Sequence, residues 1–200
     1  MRAPELLDGV KLAAKCPGTR FILDHCGNPD LKCFRTRRIG EVAPAHTADA
    51  WKRSIDALAK QPNVICKISG VAAGLPPEGE AEDLAPVVNH CLDTFGPDCV
   101  VFGGDWPVCL LGATYQKWVH MLRQIIASRS HAHQMQLWSG NALRFYELRP
   151  SLARTLNPQT ECPDGLSCRV TSSALISGDA ELMAHRWMTL RSSRTFPGQA

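Results

Sequence analysis

Hydrophobic positions along the first 149 residues switch between two spacings, and the switch repeats. In "APELLDGVKLAAKCPG", Leu6, Leu7, Val10, Ala13 and Ala14 recur at helical intervals. Pro4 stands where a first turn tolerates it, and Pro17 and Gly18 end the run. The segment predicts an amphipathic helix. "RFILDHCG" follows, a short apolar run closed by Asp24, His25 and Gly27, which predicts a buried strand entering a loop. The same order returns in "TADAWKRSIDALAKQPN", with Thr47 or Asp49 as a cap and Trp51, Ile55, Leu58 and Ala59 on one face, before the strand candidate "VICKISG". A third unit joins "AEDLAPVVNHCLDTFG", apolar at Leu84, Val87, Val88, Cys91, Leu92 and Phe95, to "CVVFGGD". "YQKWVHMLRQIIAS" and "NALRFYEL" predict two further helices.

Helix-to-strand units about forty residues apart, with no hairpin turns between them, mean parallel strands joined by helical crossovers. The fold class is α/β. Continuous apolar strands fit a doubly wound sheet or part of a (β/α)8 barrel, and in both the chemistry collects where strands end. After Pro150 the pattern fails. Scattered Ser, Thr, Arg, Pro and Gly, with one modest helical stretch near residues 180–190, predict a poorly ordered tail over 150–200 behind a single domain at 1–149.

Composition narrows the function classes. A hydrophobic content of 44 % over 200 residues supports one domain with a real core. The net charge of +3 comes from Lys and Arg spread along the chain, so no nucleic-acid partner is expected. No stretch approaches the roughly 18 apolar residues of a membrane span. Nine cysteines, an odd number with no apolar leader after Met1, predict a reduced, cytoplasmic protein. Cys26, Cys66 and Cys99 lie on or beside strand-like runs and Cys91 on a helix face, where thiols read as small hydrophobes.

Two polar residues stand in equivalent places, His25 and Asp105, each one or two residues past an apolar run and beside a glycine. In a barrel such residues point into the mouth where substrate binds. Asp105 is equally readable as a cap on a helix starting after Pro107 or as half of an ion pair, and His25 as a hydrogen-bonded core histidine. Lys67, in mid-strand, points into the mouth, pairs with a carboxylate or marks an exposed face. Ser69 caps the following loop or donates to a bound carboxylate. His131 and His133 have metal-ligand spacing only on a strand, and no apolar run precedes them to form one. Cys162 and Cys168 are set too irregularly for a zinc knuckle, and His46, His90, His120 and His185 read as loop or helix-surface residues. The absence of G-x-G-x-x-G and G-x-x-x-x-G-K motifs indicates no nucleotide cofactor, and there is no G-x-S-x-G elbow.

"RFILDHCGNPD", "QPNVICKISG", "FGPDCVVFGGDWPVCLL", "YQKW" and "GNALRFYEL", in that order, resemble the amidohydrolase-2 branch of the amidohydrolase superfamily. Within it the chain is similar to the group containing L-fuconolactonase and 2-pyrone-4,6-dicarboxylate lactonase. The resemblance implies a (β/α)8 barrel in which "FILDH", "VICKIS" and "CVVFGGD" are strands six, seven and eight. It implies that Asp105 takes a proton from the attacking water and passes it to the leaving group, and in metal-bearing members binds the metal, zinc in particular. His25 would polarise the scissile carbonyl or hold the substrate, and Lys67 and Ser69 would line the mouth. The implied substrate is a small molecule, a sugar lactone or related cyclic ester. A decarboxylase of the same superfamily is the nearest enzymatic rival. The family's strand-one H-x-H and strands two to five have no counterpart after Met1, so the chain is expected to be a carboxyl-terminal portion of the barrel. Two expectations follow: catalytic incompetence of the chain alone, and self-association through the exposed strand edge.

Overall fold

A computed structural model describes residues 3–36 and 40–148. The tail expected over 150–200 lies outside the described residues, as do Cys162, Cys168 and His185. The helix-to-strand order read from the sequence is present three times: α1 (Leu6–Lys15) before β1 (Phe21–Leu23), α2 (Ala48–Ala59) before β2 (Val64–Ile68), and α3 (Ala81–Phe95) before β3 (Val100–Phe102). The strands form one parallel sheet in the order β1-β2-β3, with Leu23 opposite Cys66 and Ile68 opposite Phe102. The α/β class is thereby confirmed. A helix α4 (Tyr115–Ile125) follows, then α5 (His131–Met135), a π turn (Gln136–Gly140) and α6 (Asn141–Phe145).

Helices α2, α3 and α4 start where side-chain oxygens satisfy otherwise unpaired backbone donors. Thr47, rather than Asp49, caps α2 by accepting from the Ala50 N–H, and Thr114 caps α4 by accepting from the Lys117 N–H. Glu80 and Asp83 form a reciprocal capping box on α3. Pro86 lies inside α3 without ending it. A mid-helix proline costs about 3 kcal/mol. The same helix buries Leu84, Val87, Val88, Cys91, Leu92 and Phe95, each apolar side chain worth about 1.5–3 kcal/mol, and the sum prevails.

Successive helices pack side by side against one face of the sheet, α1 on α2, α2 on α3 and α3 on α4. Because side chains alternate along a strand, Val64, Cys66 and Ile68 join this apolar core while Ile65 and Lys67 point to the opposite face. Two side-chain amides, half-buried Asn63 and buried Asn141, tie the ends of the layers together. Asn63 Nδ2 donates to the carbonyls of Ala13, Cys16 and Thr19, fastening the end of α1 to the start of β2. Asn141 Nδ2 donates to the carbonyls of Pro97 and Val100, both at 2.7 Å, holding α6 against β3. Asn141→Ala is expected to lower unfolding stability by about 1–3 kcal/mol, the cost of leaving buried acceptors unpaired. A chemical-denaturation midpoint unchanged from wild type would refute that assignment.

Candidate functional site

All three strands end at the same side of the sheet, and each ends in backbone that ordinary residues avoid. Past β1, His25 (φ 57°), Cys26 (φ 51°), Gly27 (φ 72°) and Asn28 (φ 50°) are consecutively left-handed. Each non-glycine residue there costs roughly 1–2 kcal/mol, so the turn persists only because its surroundings hold it. Trp51 of α2, fully buried, donates its Nε1–H to the Cys26 carbonyl at 3.0 Å. Leu6 and Ile55 pack closely on Gly27, so that an added Cβ would stand 3.0–3.3 Å from their methyl groups. Past β2 come Ser69 and Gly70 (φ 72°), and past β3 come Gly103, Gly104 and Asp105 (φ 51°).

These ends bring the sequence candidates together. His25 Nδ1 lies 3.0 Å from Ser69 Oγ and 3.9 Å from Asp105 Oδ1. Both side chains keep partial access to solvent, His25 at 29 % and Asp105 at 16 % of side-chain exposure, as groups that must meet a substrate require. The Asp105 side chain does not cap the 3-10 turn Val108–Leu111, whose N-cap position is Pro107; the turn is entered instead by a backbone bond from Cys109 N–H to the Asp105 carbonyl. Lys67 reaches the same region and pairs with Asp24 at 2.7 Å. Ser69, expected to line the mouth, is fully buried beneath the His25 ring. Gly70 lies so close to that ring that an added Cβ would stand 2.5 Å from His25 Cβ and Cγ.

Supporting groups that spacing does not reveal complete the neighbourhood. Asp24, read only as the end of a strand, is the partner of Lys67; its place directly before His25 at a strand end is the signal that was available. Tyr115 packs its ring over Gly104, and burial pushes its phenol up, so it stays neutral through physiological pH. Trp118 donates its Nε1–H to the Gly103 carbonyl at 3.3 Å, anchoring the backbone that carries Asp105. Burial, and then the Asp105 charge, push the Cys109 thiol up, which keeps it protonated beside that carboxylate. His131 and His133 lie exposed on α5, where a two-residue step turns them apart as expected. His90 departs from its surface reading: half-buried on α3, its Nε2 lies 3.0 Å from Asp56 Oδ1 and its ring packs against Trp51.

The order of helices and strands, with polar residues converging where parallel strands end, is that of an α/β fold with a candidate site at its strand ends. A family model described as Amidohydrolase matches residues 1–148. The chain belongs to the amidohydrolase family. It is 37 % identical over 161 residues to L-fucono-1,5-lactonase of Burkholderia multivorans, covering 75 % of this chain and 51 % of that protein. To the L-fucono-1,5-lactonase of Burkholderia ambifaria it is 29 % identical over 150 residues, 71 % of this chain and 47 % of that protein. A crystal structure of an amidohydrolase from Burkholderia multivorans with bound zinc matches at a TM-score of 0.65 and 30 % identity, covering 74 % of this chain and 51 % of that one. The chain spans about half the length of the curated relatives it matches.

Zinc in that amidohydrolase raises the question of ligands here. A catalytic zinc takes three protein ligands and one open position. At the strand ends Asp105 lies near one imidazole, His25, whose Nδ1 is already engaged by Ser69, and the other carboxylate, Asp24, is paired with Lys67. The one group of three ligand atoms among the described residues is Cys26, Cys66 and Cys91, and Cys66 points to the opposite face from Lys67. These strand-end residues therefore do not make a zinc set by themselves; what they offer is a proton acceptor and hydrogen-bond donors. No helix among the described residues is long and apolar enough to cross a membrane.

Proposed function

We propose that residues 1–148 form strands six to eight, with their helices, of a (β/α)8 barrel that hydrolyses a sugar lactone or related cyclic ester. The observation that carries this reading is the Asp105 carboxylate 3.9 Å from His25 Nδ1, both at the carboxyl ends of parallel strands and both open to solvent. The lactonase relatives support the substrate class, and L-fucono-1,5-lactone is the first compound to test.

The geometry supports the following steps. Asp105 takes a proton from a water as that water attacks the lactone carbonyl carbon, giving a tetrahedral intermediate. The ring C–O bond then breaks, and the proton held by Asp105 passes to the departing ring oxygen, leaving a hydroxy acid. When the Ser69 hydroxyl donates to His25 Nδ1, the imidazole proton resides on Nε2, where it can donate to the carbonyl oxygen on which negative charge develops. Ser69 is thus a positioning residue: buried, it reaches the reaction only through His25. Lys67, held by Asp24, adds positive charge near a carboxylate or hydroxyl of the substrate.

The test is acid release from L-fucono-1,5-lactone and related aldonolactones, measured against spontaneous hydrolysis. Turnover by the protein supports the reading and overturns the expected incompetence of the chain alone, and rates indistinguishable from buffer across the panel refute it as a reading of this chain. Ser69→Ala is expected to lower kcat about tenfold with KM little changed, the loss of one buried hydrogen bond that fixes a tautomer. A merely structural Ser69 would instead leave kcat intact and lower only the melting temperature.

A further inference from the structure

Cys26, Cys66 and Cys91 come from three elements, the strained turn after β1, the middle of β2 and the inner face of α3, and all three are fully buried. Their Sγ atoms all lie within 4.8 Å of one another. Nothing in the proposed hydrolysis uses them. We propose that they form a three-sulfur site for a trivalent thiophilic ion, arsenite being the ligand class.

Geometry is the first argument. Sulfurs no more than 4.8 Å apart stand at most about 2.8 Å from the centre of their triangle, against metal–sulfur bonds of about 2.3 Å. Each sulfur needs to move inward by about 0.5 Å or less, within the reach of a small side-chain rotation. The frame around them is held in place. The Cys26 carbonyl is bound by Trp51, and the Cys26 thiol donates to the Lys67 carbonyl at 3.8 Å.

Coordination number and charge select the ion. Zinc in a closed protein site takes four ligands, and no fourth His, Cys, Asp or Glu joins this group among the described residues. Soft three-coordinate ions need only the three sulfurs. Zinc on three thiolates leaves one net negative charge in the core, monovalent copper leaves two, and trivalent arsenic leaves none. Uncompensated charge in an apolar interior costs several kcal/mol, so the neutral complex is favoured. The exchange balances without a redox step. Arsenous acid, neutral at pH 7, loses its three As–O bonds and forms three As–S bonds. Each thiol proton leaves with a hydroxide as water, and arsenic stays trivalent. Entry requires local opening of the core, so binding is expected to be slow.

The test is arsenite uptake by the reduced full chain, read by native mass spectrometry and by X-ray absorption at the arsenic edge. One arsenic per chain with three sulfur neighbours is expected, retained by Cys99→Ala and lost by Cys91→Ala. Cys91→Val, which refills the core volume, serves if the alanine variant fails to fold. No uptake, fewer than three sulfur neighbours, or undiminished uptake by the folded Cys91 variant overturns the site. Displacement of bound arsenic by equimolar zinc overturns the charge argument that selects the ion.

Discussion

Asp105→Asn is expected to lower kcat for lactone hydrolysis by about 10²–10⁴-fold while the protein stays folded, because the amide keeps the shape of the side chain and cannot take a proton from water. Asparagine is the right replacement for a second reason. Asp105 sits at φ 51°, a region that asparagine tolerates better than most residues, so the substitution adds little backbone strain. The neighbouring His25 loses only a contact at 3.9 Å, and Ser69 still holds its ring. The measurement is kcat from acid release, beside a circular-dichroism melt to verify folding. A folded variant retaining more than about a tenth of the wild-type rate would remove Asp105 from the proton-transfer role.

Gly70→Ala is expected to damage stability and activity together. The position has φ 72°, and an added methyl would meet His25 Cβ and Cγ at 2.5 Å and Nδ1 at 2.6 Å. His25 has little room to retreat, since it belongs to the left-handed turn that Trp51 and the packing on Gly27 hold in place. Backbone strain and overpacking each cost about 1–3 kcal/mol, so unfolding stability is expected to fall by roughly 2–5 kcal/mol. Whatever fraction folds must displace the imidazole from Ser69, and kcat falls with it. Gly18→Ala, on an exposed turn with nothing within 4 Å of the added carbon, is the matched control and is expected to behave as wild type. Equal denaturation midpoints for the two variants would show that the close approach of Gly70 to His25 does not constrain the site.

Much of the helix and strand order was legible because it rests on local physics. Helical spacing at Trp51, Ile55 and Leu58 and the cap at Thr47 act within one turn of chain, and both appear where the periodicity places them. Pro86 shows the limit of local punctuation, since burial of the α3 face outweighs a breaker that sequence rules weigh heavily. At the site, His25 and Asp105 were legible from their matching places after apolar runs. Their separation of 3.9 Å was not, because it depends on how far the two loops turn after β1 and β3. The Lys67–Asp24 pair was legible only as one alternative among three: a lysine in mid-strand demands a partner, and the chain offers many carboxylates.

By its sequence alone this protein is an α/β chain of three helix-to-strand units whose motifs place it among the amidohydrolases, with Asp105 and His25 at strand ends. Those features follow from spacing and from residues adjacent along the chain. Tertiary structure decided which candidates meet: Ser69 withdraws under His25, Lys67 turns to Asp24, and three cysteines far apart in sequence bring their sulfurs within 4.8 Å. The reason is the parallel sheet. Its register sets Cys66 against Leu23 and Val100, and the helices and turns packed on it carry Cys26 and Cys91 to Cys66, so these contacts exist only once long crossovers have closed.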